Sequence, residues 1–315
     1  MMQSWTPATT WPDRISSGKT SPGKALSGKA SPGKTWLAAA TIAVALAGCD
    51  TVSQIGSQAT VAELDTAGSA EASVNIGSLT EVINRNPNDP SAYNTRGAAY
   101  ARVGRFSDAI ADFSKAVQLD PNLASAYNNR GLALRQTGRN DAAIADFNRA
   151  TTANPNYAPA YIARANLLRQ QGNSQQALAD LNTAIRLNPE SAEAFHARGL
   201  VYQKEGQHQH AVTDFDSVID RNPYNAPPYI ARGQSLNALG KYDAALEDFT
   251  AALNVDNRNA DAWAGRGFAF EKLGKKTEAS EAYQRALSLD GNNAQARAGQ
   301  SRLGSGGGIG GLFRS

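Results

Sequence analysis

The chain of 315 residues carries 31 basic and 28 acidic residues and one cysteine, Cys49. A single cysteine excludes an intrachain disulfide. The basic excess belongs to the first 48 residues, which hold five basic side chains and one acidic (Asp13). The remainder counts 26 basic against 27 acidic residues, a net charge of −1 that removes the case for a nucleic-acid partner.

Residues 1–48 read as a secretory signal: basic residues (Arg14, Lys19, Lys24, Lys29, Lys34) precede a short apolar run from Trp36 to Ala47. The run is well short of the roughly 20 residues that span a bilayer. Gly-Lys pairs recur every five residues from Gly18 to Lys34 without aromatic or arginine interleaving, which suits an extended signal better than a nucleic-acid-binding tail. Leu46-Ala47-Gly48-Cys49 resembles the bacterial lipobox. That resemblance implies a covalent lipid on Cys49, no other cofactor, and a periplasm-facing, membrane-anchored place in the cell envelope. Asp50 is similar to the residue that retains some lipoproteins at the inner membrane, but the rule varies between bacteria, and inner and outer membrane both stay open. Residues 49–73, rich in Ser, Ala, Gly and Thr, are expected to form a flexible tether.

Residues 74–88 read as the second helix of a truncated leading unit. Six copies of a 34-residue unit follow without insertion or deletion: 89–122, 123–156, 157–190, 191–224, 225–258 and 259–292. Position five of each copy is aromatic (Tyr93, Tyr127, Tyr161, Phe195, Tyr229, Trp263). Position nine is Gly or Ala, and position twelve is large and apolar except where it is Tyr. These spacings share one helical face. Glycine at position sixteen (Gly104, Gly138, Gly172, Gly206, Gly240, Gly274) ends the first helix. Alanine at twenty-one and an aromatic or Leu at twenty-five form the second helix, and an X-Pro pair closes the first four copies; Asn257 and Gly291 stand at the proline place in the last two.

These positions resemble the tetratricopeptide-repeat (TPR) pattern. The resemblance implies an all-α fold, a right-handed α-solenoid of six full repeats after the leading half repeat, with first helices lining a concave groove. Residues 293–303 are expected to cap it, and 304–315 to form a disordered Gly-rich tail.

Two charged columns exceed the minimal pattern. Position eight is arginine throughout (Arg96, Arg130, Arg164, Arg198, Arg232, Arg266). Position twenty-four is aspartate in five copies (Asp112, Asp146, Asp180, Asp214, Asp248), with Ala282 in the sixth. An unpaired charge on a buried face is costly, so the two columns are expected to form a ladder of structural ion pairs rather than a site for acidic ligands.

The family geometry places positions six, ten, thirteen and fourteen on the concave face. A peptide-binding groove is expected there from Asn94, Arg102, Asn128, Leu132, Arg135 and Ile162, continuing through Asn166, Arg169, Leu200, Lys204, Ile230 and Phe268. The amides would meet a peptide backbone and the apolar residues its side chains. The basic residues equally suit helix C-termini. The two-carboxylate clamp of chaperone-binding relatives is not expected, because of its places only Asn129 fits. No nucleophile, metal set or phosphate-binding loop emerges, and the three histidines (His196, His208, His210) are expected to be solvent-exposed, so no enzyme is expected. The partners expected are proteins, as extended peptides or helices of envelope proteins, with the membrane met through the lipid. An adaptor for envelope proteins is the first expectation, and a pilotin-like assembly factor for a pilus or secretion machine the alternative.

Overall fold

The computed structural model describes the backbone of residues 69–305 and the side chains of 76–304. The expected signal, the lipobox with Cys49, most of the tether and most of the tail lie outside the described residues. Within them the chain is helical without strands: α1 (Ser69–Arg85), α2 (Pro90–Arg102), α3 (Phe106–Leu119), α4 (Ala124–Gln136), α5 (Asn140–Ala153), α6 (Ala158–Gln170) and α7 (Ser174–Leu187) form the first half. Then come α8 (Ala192–Lys204), α9 (His208–Arg221), α10 (Ala226–Ala238), α11 (Tyr242–Val255), α12 (Ala260–Lys272), α13 (Lys276–Leu289) and α14 (Ala294–Ser305). Two boundaries differ from expectation. The first helix takes 69–73 from the tether, since no Gly or Pro stops it there, and the last runs to Ser305, within the usual fraying of a helix end.

Each repeat is a helix pair joined by a turn at position sixteen, where every glycine has φ between 72° and 86°. Side chains with a Cβ rarely adopt that left-handed conformation, so the residue type dictates the turn. The turn between repeats is made differently. The Asp or Asn at position thirty-two accepts from the amide two residues on, as Asp120 does from Asn122 (2.8 Å) and Asn154 from Asn156 (2.9 Å). Asp256 and Asp290 make the same bond at 3.0 and 2.8 Å. This explains why Asn257 and Gly291 can replace proline: the preceding carboxylate closes the unit without it.

The large residue at position twenty-five fills the seams. Phe113, Phe147, Phe215, Phe249 and Tyr283 are fully buried, and burying each contributes about 1.5–3 kcal/mol. Their rings leave no room for a side chain at position nine of the same repeat: a Cβ on Gly131 would lie 2.6 Å from Phe147. Position seven of the following repeat, Gly or Ala from the third repeat on, closes the other side, as Gly265 does against Phe249. One aromatic therefore locks its own helix pair and the next repeat together.

Every helix packs on its sequence neighbour, and first helices also pack on one another: α2 on α4, α4 on α6, α6 on α8, and so on to α14. No pair of second helices makes comparable contact. The array is an α-solenoid whose first helices converge on an inner face.

Candidate functional site

The position-eight arginines point away from that face, toward the second helices. Nε and Nη2 of Arg96 donate to Asp112 at 2.7 and 2.8 Å. The same two-pronged pairing joins Arg130 to Asp146, Arg164 to Asp180, Arg198 to Asp214 and Arg232 to Asp248, at 2.6–2.9 Å. These bonds push Arg96, Arg130, Arg164 and Arg198 above the ordinary arginine range. Each guanidinium also lies 5.5–5.8 Å from its position-five ring.

The third nitrogen was not foreseen. Nη1 reaches the second helix of the preceding unit: Thr80, Ser114, Asn148, Asn182 and Asp216 accept it at 2.6–3.1 Å. These acceptors stand at position twenty-six, where a short polar residue recurs two places after the aspartate. Each arginine thus ties three helices. In the sixth repeat Ala282 replaces the aspartate. Nε of Arg266 is buried without a partner, and the guanidinium stacks 5.3 Å from both Trp263 and Phe270.

The inner face corrects part of the expected groove. Asn128, Leu132, Ile162 and Ile230 are buried, because consecutive first helices pack directly and positions six and ten fall into the seam between them. Arg102 and Lys204 are exposed, while Asn94, Arg135, Asn166, Arg169, Leu200 and Phe268 are half-buried. Asn128 donates to Asn129 (3.4 Å) and Asn129 to Asn94 (3.1 Å), so these amides serve one another across α2 and α4. Lys204 donates to the Arg169 carbonyl at the end of α6 (3.0 Å), the helix-terminal role. Gln203 and Asn237, both at position thirteen, bond backbone carbonyls of the next first helix at 2.9 and 3.0 Å.

Two features on this face remain open to a ligand. The first is cationic. Arg135 and Arg169 hold position thirteen of α4 and α6, and neither guanidinium forms an ion pair or a hydrogen bond with another described residue. Burial pulls both below the ordinary arginine range, with Glu193 on α8 partly offsetting this at Arg135. His196, beside Arg169, is half-buried with its ring 5.6 Å from Phe215 rather than solvent-exposed. Burial and the Arg169 charge hold it below 6.5. Arg169 Nε and His196 Nδ1 are buried without a partner. Of the other histidines, His208 is half-buried and His210 exposed.

The second is a cavity of about 410 Å³ lined by Gln234, Asn237, Ala238, Tyr242, Phe268 and Gln295. Tyr242 meets Phe268 edge-on at 6.5 Å, and the Lys272 ammonium lies 5.2 Å from the Phe268 ring. Tyr242 belongs to a second helix and Gln295 to the cap, so a reading of the first helices alone missed both. At the same end Arg302 of the cap grips Glu271 through two bonds of 2.7 and 2.8 Å, joined by the Tyr283 hydroxyl at 2.7 Å. Among the described residues no group of His, Cys, Asp and Glu is placed to hold a metal, and no helix is long and apolar enough to cross a membrane.

Tetratricopeptide-repeat models match 76–124, 94–158, 147–179, 192–225 and 260–293, and a TPR-repeat model matches 165–206 and 233–274. No curated protein matches the chain. Among solved structures, the APC/C hetero-tetramer Cut9–Hcn1 is similar at 19% identity and a TM-score of 0.65, over 77% of this chain and 48% of that one. This chain thus spans about half of that one's length. PilF of Pseudomonas aeruginosa is similar at 18% identity and 0.62, over 70% of this chain and 99% of that one. YrrB, described as a TPR protein with an unusual peptide-binding site, is similar at 22% and 0.53, over 60% and 97%. At these identities the likeness is one of fold.

Proposed function

Because the chain belongs to the tetratricopeptide-repeat family, whose fold is a non-enzymatic scaffold for protein–protein interaction, we propose that it is a lipid-anchored adaptor of the bacterial cell envelope. Cys49 carries the lipid, the segment before α1 tethers the solenoid, and the inner face receives an extended segment of an envelope protein. The observation that carries the docking surface is the contrast between the two arginine columns. Five of the six position-eight arginines pair with aspartates inside the fold, whereas Arg135 and Arg169, at position thirteen of the inner helices, form no ion pair. The anchor rests on Leu46-Ala47-Gly48-Cys49 and the basic, then apolar, sequence before it.

Mass spectrometry of the mature amino terminus tests the anchor: a diacylated or triacylated Cys49 is expected, and a Cys49→Ala variant that still reaches the membrane in processed form refutes it. Affinity capture of the lipidated protein from the envelope fraction tests the role. Envelope proteins recovered by the native chain and lost on substituting Arg135 and Arg169 support the adaptor reading. Components of a pilus or secretion machine would favour the assembly-factor alternative, and exclusively cytosolic partners would overturn both.

A further inference from the structure

The inner face is chemically uneven, and the unevenness identifies what it recognises. Position thirteen reads Ala101, Arg135, Arg169, Gln203, Asn237 and Glu271 along the array. In the last three the side chain is engaged: Gln203 and Asn237 bridge to the next first helix, and Glu271 holds Arg302. Only the two arginines, on adjacent first helices, are left without such a bond. Both lose hydration through burial, yet neither gains a carboxylate within ion-pair distance. A half-desolvated cation without an acceptor costs stability, and an anion entering the site would relieve it.

The local charge favours that anion. Arg135 and Arg169 contribute two positive charges, the Lys204 ammonium at the Arg169 carbonyl a third, and Glu193 one negative, so the locality carries a positive excess that suits an anion. Guanidinium forks match the planar, two-oxygen geometry of a carboxylate. Arg169 Nε and His196 Nδ1 lack partners but are shielded from solvent, so they add to the cost of the empty site and are not themselves the ligand contacts. We propose that Arg135 and Arg169, with His196 beside them, form a binding site for one carboxylate of an extended peptide lying along the first helices. This rests on the inner face being the docking surface. A chain terminus and an Asp or Glu side chain offer the same group, and the test separates them.

Three probes suffice: an N-acetylated alanine–leucine peptide with a free C-terminus, the same peptide amidated, and an amidated version with one glutamate. Each is titrated into the full-length protein while the Arg Nε–H, His imidazole and aromatic signals are followed by NMR. A saturable shift at Arg135 and Arg169 is expected from the carboxylate-bearing peptides; whichever of the two binds more tightly identifies the source. The plain amidated peptide should bind at least about tenfold more weakly, and Arg169→Gln should weaken the carboxylate peptides by about tenfold. Neither guanidinium holds the fold together, so Arg135→Gln and Arg169→Gln should melt at or above the temperature of the native chain. Equal binding of the amidated peptide, undiminished binding in both variants, or preferential binding of inorganic phosphate would overturn the proposal. Binding that shifts only Phe268 and Tyr242 would overturn the carboxylate site while leaving the inner face as the docking surface. If no peptide binds anywhere along that face, both fall.

Discussion

Replacing Asp146 by Ala removes the acceptor of two Arg130 bonds at a place where the aspartate side chain is 6% and the arginine 17% exposed. Breaking a buried pair from one side costs about 3–5 kcal/mol, because the surviving charge is stranded. Here Arg130 keeps its bond to Ser114 (3.1 Å) and its stack on Tyr127 (5.6 Å), and its edge reaches water. The cost therefore falls to the bottom of that range or just below it, about 2–3 kcal/mol. The sixth repeat supplies the inverse experiment. Ala282→Asp would give Arg266 the acceptor that the other five arginines have, and with the cost of desolvating a new carboxylate the net gain should be about 1 kcal/mol. Urea unfolding followed by circular dichroism, with hydrogen exchange to localise the change, measures both. An array need not unfold in two states, so exchange in α4 and α5 is the decisive reading for Asp146→Ala. The double variant Arg130→Met/Asp146→Ala should be more stable than Asp146→Ala alone. A loss below about 1 kcal/mol for Asp146→Ala, or an equal loss for Ala282→Asp, would refute the stranded-charge reasoning.

Gly131→Val should cost about 3 kcal/mol by overpacking against Phe147, whereas Gly77→Ala, where nothing lies within 4 Å, should be neutral or stabilising by up to about 1 kcal/mol; paired melting curves check both. His196 has its pKa lowered in the folded chain by burial and by Arg169, so the unfolded chain binds the proton more readily. Its stabilising contribution is complete above 6.5 and declines as pH falls from 6.5 toward the folded value. Unfolding free energies of native protein and His196→Gln, compared between about pH 8 and about pH 5, should converge as the medium becomes acidic. A constant difference would contradict the assignment.

The period made the fold legible, because an aromatic, a small residue and a turn glycine recur at fixed offsets whatever lies between them. The arginine–aspartate pairing was open to reading for a similar reason: both members keep their charge through at least five copies. Its third partner was not, since Thr80, Ser114, Asn148, Asn182 and Asp216 share only shortness and an acceptor atom, with no common residue type. The groove was legible by position but not by depth. Whether Leu132, Ile162 and Ile230 face a ligand or the neighbouring helix depends on how closely consecutive first helices approach, which no single repeat encodes. Asn128 was mistaken in the same way, as was His196, whose packing on Phe215 comes from the pairing of α8 with α9.

The three-helix grip of the position-eight arginines gives the array a polarity. Each rung borrows one acceptor from the unit before it and none from the unit after, down to Arg96, whose acceptor Thr80 is supplied by α1. Shortening the array from its carboxyl end leaves every remaining rung complete. Removing α1, or the leading units up to and including the fourth, leaves one guanidinium an acceptor short, so the leading half repeat acts as the starting brace on which the first full unit closes.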